Sequence, residues 1–307
     1  MGIAAASVIL AAPSDPLASS HTGDPMHDHS RLAPAVALAA LLAGAARGQE
    51  QKLDLPLPSP HATMQQTVGI TEVTIAYSSP AVRGRTIWGG VVPYDALWRA
   101  GANDCTKLTL SRPATIEGKP VPAGSFCLFY LPTRAGWTFI LNKDATLGGT
   151  DGYKQANDAL RVPATVSAIP KRERLAYSML DFTDEVGTLA MEWDTARVAV
   201  KVDFGTRAAA LAEIRALKTD DWRPYNRAAR YLLDAKFEPA LAMQLADRSI
   251  KLKEEWNNVW TKAQLLAASG KTKEALTYAQ RAQELGKKSE NFFSADDVAK
   301  ALVDWKK

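Results

Sequence analysis

From Thr71 onward the chain alternates apolar and polar positions. "VTIAYS" sets Val73, Ile75 and Tyr77 against Thr74 and Ala76, the period of two expected of a strand with one buried face. The same short alternation returns in "TKLTLS", "SFCLFYLP", "WTFILN", "AYSMLDF", "TLAMEWD" and "RVAVKVDF", each bounded by Gly, Pro, Asp or basic residues. Seven or eight such runs within about 145 residues, without helical interludes of convincing length, predict an antiparallel β-sandwich or barrel. Only "YDALWRA" and "GYKQANDAL" have a helix-compatible composition, and both are short.

Near Gly205 the pattern changes. Ala, Leu, Lys, Arg and Glu take over at helical spacing and β-branched residues thin out. In "WTKAQLLAASGKTKEALTYAQRAQELG", small residues fall where two helices would meet and Gly270 falls at the turn, the arrangement of a tetratricopeptide-type hairpin. The segment "ARYLLDAKFEPALAMQLADRSIKL" repeats it 33 positions earlier, aligning Leu232 with Leu265, Ala242 with Ala275, Ala246 with Ala279 and Leu252 with Leu285. This earlier repeat is degenerate, since Phe237 stands where the turn glycine would be. The predicted architecture is therefore a β-sandwich or barrel over residues 61–205, followed by a tetratricopeptide-like helical domain over residues 206–307. Two hairpins are fewer than the three or so repeats that such arrays usually need for stability, so this region is expected to lean on the β domain or on "FFSADDVAKALVDWKK" as a cap.

The N-terminus changes the picture of where the protein works. From Met26, "MHDHSRLAPAVALAALLAGAARGQEQ" has a polar start with Arg31, an apolar run from Leu32 to about Leu42 and a small-residue exit. That is the order of a secretory signal peptide, too short in its apolar part to span a bilayer. Residues 1–48 are read as the export region, with the true start at Met26 or, alternatively, a longer leader from Met1. Residues 49–60, "QEQKLDLPLPSP", follow as a Pro-rich linker. The expected location is periplasmic or secreted, without a membrane span.

Composition narrows the chemistry. Hydrophobic residues make up 47% of the 307 and charged residues 23%, which is globular. The formal charge of +4 becomes +5 without residues 1–48, which hold three Asp against two Arg. Acids and bases alternate through most of the chain rather than forming a basic face, so nucleic acid is not an expected partner. Of four histidines only His61 lies beyond the export region. A histidine-rich zinc site is excluded, and no "GxSxG", "GxxxxGK[ST]" or strand-borne "GxGxxG" accompanies it. No catalytic residue, metal or cofactor is assigned. Carboxylates for a two-acid hydrolase exist in Asp95, Asp104, Asp181, Asp184, Glu185, Glu192 and Asp194, mostly beside turns.

The richest stretch is "IWGGVVPYDALWRAGANDCTKLTLS". Trp88, Tyr94, Trp98, Arg99 and Asn103 combine flat apolar faces with directional donors, a mixture that binds sugar rings or acidic peptide ends. The same residues equally describe a plug, with Trp88 and Trp98 closing one end of a sandwich and Arg99 and Asn103 satisfying loop carbonyls. Cys105 and Cys127 flank the turn-rich "IEGKPVPAG". In an oxidising compartment they are expected to pair, the alternative being two buried thiols.

"SPHATMQQTVGITEVTIAYSSPAVRGRTIWGGVVPYDALWRAGANDCTKLTLS", "GKPVPAGSFCLFYLP", "WTFILNKD", "LRVPATV" and "TLAMEWDTARVAVKV" together resemble a bacterial family known as domain of unknown function 2911, over residues 57 to 204. Tyr77 to Asn103 is the most specific part. The resemblance implies an exported protein, in some members continued by helical repeats, and supplies no activity. At Cys105 and Cys127 small non-cysteine residues are more usual in the family, so any role of the thiols is particular to this chain.

Two functions stay open on the sequence. One is a non-enzymatic binding module of the cell envelope, with a glycan or small ligand at the β-domain loop and a protein or peptide partner on the helical region. The other is a hydrolase of envelope glycans or peptides. Both require export, so the mature chain should begin near Ala46 to Gly48. Mass spectrometry of the native protein checks this, and a chain retaining Leu38 to Leu42 in the cytoplasm would contradict it.

Overall fold

A computed structural model describes residues 53–306; the export region and the first residues of the linker lie outside the described residues. Among the described residues nine strands form one antiparallel system in the order β1-β2-β3-β6-β7-β8-β9-β4-β5. They are β1 (His61–Val68), β2 (Thr71–Ser78), β3 (Thr106–Leu110), β4 (Ala114–Ile116), β5 (Lys119–Val121), β6 (Gly124–Pro132), β7 (Trp137–Asn142), β8 (Asp158–Leu180) and β9 (Val186–Asp203). Six helices follow: α1 (Thr206–Arg215), α2 (Trp222–Asp234), α3 (Pro239–Leu252), α4 (Trp256–Ala268), α5 (Thr272–Gly286) and α6 (Ala295–Asp304). A β domain followed by an α-helical domain is the architecture that the two periodicities predict.

The strands differ from the expected ones in length. "AYSMLDF" is only the end of the 23 residues of β8, and "TLAMEWD" and "RVAVKVDF" fuse into the 18 of β9. The polar run Lys171–Arg172–Glu173–Arg174 and two prolines disguise β8 in the sequence. Its first part pairs with β7 and its later part with β9, so one strand belongs to both halves of the β system. The register breaks between Ala168 and Ala176, around Pro170 and opposite Asp194, which has the left-handed backbone (φ 51°) of a bulge. The expected turn between Cys105 and Cys127 holds the small β4–β5 hairpin, turned by Glu117 and Gly118, both at positive φ.

Neither helix-compatible stretch within the β domain forms an α-helix. In "YDALWRA", Asp95 and Ala100 have positive φ, and the Trp98 backbone exchanges hydrogen bonds with Tyr130 at 2.8 and 2.9 Å. This pairing along β6 overrides helix propensity. "GYKQANDAL" makes only a 3₁₀ turn at Gln155–Asn157 before β8 begins.

Inward residues from all nine strands but β1's outer positions meet in one core, including Ile75, Leu108, Ile116, Leu128, Phe139, Leu175, Met191 and Val200. β6 and β7 are buried on their other face as well, because Leu147 and Tyr153 from the 143–157 loop cover Phe129 and Ile140. Asn142, fully buried, donates to Asp158 and to the Lys154 carbonyl, and Tyr153 donates to the same Asp158 carboxylate at 2.7 Å. Burial and this acceptor push the Tyr153 phenol up to about 12. Under the same loop a disulfide joins Cys105 and Cys127, whose Cα atoms are 5.6 Å apart.

α2–α3 and α4–α5 are successive antiparallel hairpins. α2 and α4 both begin on tryptophan, Trp222 and Trp256, 34 positions apart, whereas α3 and α5 begin at Pro239 and Thr272, 33 apart. The uniform offset of 33 is thus right for the second helices and one short for the first. The extra residue is absorbed in the first turn, where Lys236 takes the left-handed conformation that Gly270 takes in the second. Alanines let the helices approach closely: Ala229, Ala242, Ala246, Ala263, Ala275 and Ala279 are all fully buried. α6 closes the far end, its following Trp305 stacked on Trp260 at 5.7 Å.

Pairing of the two cysteines closes a loop of 22 residues, worth roughly 3 kcal/mol in the chain-entropy model. Labelling of the unfolded, unreduced protein should therefore find no free thiol, and C105S/C127S should lose stability of about that size; two labelled cysteines would refute the bridge.

Candidate functional site

The loop between β2 and β3 is irregular yet held throughout. Ser79 N–H donates to the Pro60 carbonyl, and Val82 N–H to that of Glu173. Arg85 folds back on the Ala81 and Val82 carbonyls. A tight turn closes between Ile87 and Val92 at 2.9 Å; a Cβ on Gly90 would run into the Thr86 carbonyl, so glycine is needed there. The Ala100 carbonyl accepts from both Thr106 and Tyr177 hydroxyls. Burial raises the pKa of Tyr177, which stays protonated to make that bond.

The five residues singled out in this loop do not share one surface. Trp98 is 9% exposed. It stacks on Trp193 at 5.9 Å and on Tyr130 at 6.1 Å, and meets Trp88 and Trp137 edge-on, while its indole N–H donates to the Gly101 carbonyl. Trp88 is half-buried and contacts Trp137 and Trp193 at 4.9 and 5.8 Å. Four tryptophans thus close one end of the core. Arg99 donates to the Asn103 carbonyl at 2.6 Å with Gly149 packed on its guanidinium. Asn103, exposed and at φ 58°, reaches Ser78 at 3.1 Å and the Ser59 carbonyl. Tyr94 is half-exposed beneath Arg134. None of the five lines either of the two cavities described below.

The carboxylates are largely in structural use. Glu192 is held by Arg172 and Arg197 at 2.9 and 2.5 Å. Glu185 accepts from the Arg207 N–H at the start of α1. Asp95 and Asp181 in turns, and Asp194 at the β9 bulge, have positive φ, a conformation that Asp tolerates better than most residues. Among the described residues no three His, Cys, Asp or Glu side chains are grouped as a metal site.

An open space lies where the β domain meets the helices. The β1–β2 turn, the β8–β9 turn, α1 and α2 enclose a cavity of about 520 Å³. Its walls are apolar: Ile70 from the first turn, Ala210, Ile214 and Leu217 from α1 and the residues after it, and Ala228 and Tyr231 from α2. Asp184, Glu213 and Arg227 add charge. The seam is tightly held. Thr206 donates to the Asp184 carbonyl and lies so close to Gly69 that a Cβ there would collide with it. Arg112 and Glu213 pair at 2.6 Å. Burial, then the nearby acids, raise the Tyr231 pKa. Reading the sequence missed this cavity, because its residues come from four separate segments. The signal that was present is Ile70, a large apolar side chain at a hairpin tip, 37% exposed.

The fold and this seam define an antiparallel β domain closed by a tryptophan cluster and joined to a helical-hairpin array. Residues 59–202, all but the edges of the β domain, match the family described as protein of unknown function DUF2911. No curated protein and no solved structure shows a match.

Trp98 buried among three other tryptophans predicts that Trp98→Ala costs about 3 to 5 kcal/mol, measured by chemical denaturation, with loss of near-ultraviolet circular dichroism from the cluster. A variant as stable as the parent would return Trp98 to the list of exposed binding residues.

Proposed function

We propose that this is an exported binding module whose ligand sits in the cavity between the β domain and α1–α2, with a helical region that is tetratricopeptide-like. The observation carrying the reading is the cavity itself: about 520 Å³, apolar-walled, and built by both parts of the chain. That is the size and character of small-molecule sites, which favour boundaries between domains. An apolar wall with few charges suits retention of a ligand better than two-carboxylate hydrolysis, which needs a pair of acids facing across a cleft. Of the two acids here, Glu213 is already paired with Arg112.

Export is supported by the leader and by the disulfide, a bond that persists in oxidising compartments; no helix among the described residues is long and apolar enough to cross a membrane. The repeat assignment is supported by the two hairpins of near-equal length and by their matching buried alanines.

The neutral dye Nile red should bind with a blue-shifted emission. Ala210→Trp, which fills the cavity from α1 without touching the core, should weaken it roughly ten-fold, the equivalent of about 1.4 kcal/mol, while leaving thermal unfolding unchanged. Equal binding in Ala210→Trp together with loss in Tyr94→Ala would move the site to the β-domain loop.

A further inference from the structure

Arg227 lies on α2 and is exposed, and among the described residues it has no ion-pair or hydrogen-bond partner. It lines two spaces at once. One is the apolar cavity; the other, about 380 Å³, lies at the beginnings of α2 and α4 and is lined by Asp221, Trp222, Arg223, Asn226 and Asn257. The first is lined mostly by apolar side chains, whereas the second space, apart from Trp222, is lined by polar and charged ones. Its side-chain amides have unmet needs: Asn226 Oδ1 and Asn257 Oδ1 are buried and have no donor. Arg223 is already engaged by Asp221 at 3.2 Å, which leaves Arg227 as the uncommitted cation between the two spaces.

An apolar space beside one lined by polar side chains, with an unpaired guanidinium lining both, suits one kind of molecule. We infer that the ligand is an anionic amphiphile, a carboxylate head on a hydrocarbon tail, with the tail along Ile70, Ile214 and Tyr231 and the head on Arg227. The inference rests on the cavity being the binding site and adds the chemistry of its occupant. The carboxylate accepts from the guanidinium in the fork geometry that arginine favours, and polar atoms adjoining the head meet Asn226 and Asn257. Asp184, the cavity acid contributed by the β8–β9 turn, repels the head and so directs it toward α2. A neutral tail alone would leave the two amides and Arg227 as they are, and a cationic head would face Arg227 with like charge.

The test compares three probes of equal tail length on the full mature chain, below their aggregation concentrations: decanoate, decan-1-ol and decyltrimethylammonium, each displacing Nile red. Decanoate should bind at least roughly ten-fold more tightly than decanol, because a charge-assisted hydrogen bond is among the stronger ones, and decyltrimethylammonium should be the weakest. Arg227→Ala should bring decanoate down to the level of decanol, Arg227→Glu should reverse the preference toward the cation, and Arg227→Lys should restore part of it. Because Arg227 is exposed, these variants should fold as the parent does, which thermal unfolding verifies. Equal binding of decanoate and decanol, or an Arg227→Glu variant that keeps the parental preference, overturns the head-group inference and leaves the cavity standing. Failure of Nile red and all three probes removes the cavity reading as well. A short acidic, leucine-containing peptide that binds through Arg227 when decanoate does not would replace the amphiphile with a peptide ligand.

Discussion

Everything in the β domain and its junction depends on the pairing of β8 with β9. β8 begins beside β7 and ends beside β9, so the two halves of the β system are joined by continuous backbone as well as by packing. Trp193 from β9 enters the core against Trp98 and Trp88, and the turn between the two strands presents the carbonyl that receives Thr206. A slip of one residue would turn Trp193, Met191 and Leu189 outward together, because side chains alternate faces at every step. The bulge at Asp194 absorbs the mismatch around Pro170 and keeps both halves of the hairpin in register.

That geometry settles what the β2–β3 loop does for the fold. Aromatic side chains at the end of a sandwich can face solvent or core, and here the backbone pairing of Trp98 with Tyr130 turns the indole inward. Once there it excludes water from Trp137, Tyr130 and Trp193, and burial raises the Tyr130 pKa accordingly. Two indole N–H groups, on Trp88 and Trp193, are buried without acceptors, a penalty typically of 1 to 3 kcal/mol per group. The dispersion and area burial of four stacked and edge-on rings offset it.

The helical part is joined to the β domain by a few specific contacts rather than by a broad apolar face. Gly69, Thr206, Glu185 and the Arg112–Glu213 pair hold α1 in place. Beyond these contacts α1 and α2 stand away from the β turns, and the resulting gap is the cavity. Proteins tend to place small-molecule sites at such boundaries, since neither part alone completes its packing there.

Much of this was legible in the residues themselves. Alternation located most strands, the change at Gly205 located the first helix, and the buried alanines of the hairpins were readable from their spacing. These features are local: the period of a pattern reports which face of an element is buried, whatever it packs against. Three other features depended on partners distant in the chain. "YDALWRA" has a helix-compatible composition and becomes a bridge because Tyr130 offers it backbone partners. β8 shows only its end, "AYSMLDF", in the alternation, with a polar run before it, and becomes one long strand because β7 and then β9 lie alongside. The cavity gathers Ile70, Asp184, Ile214 and Arg227 from four segments, and no periodicity records their meeting. The sequence alone determined which residues avoid water and how often they recur; only the tertiary structure decided which of them meet, because contact between distant segments depends on register, twist and docking that no short window of residues contains.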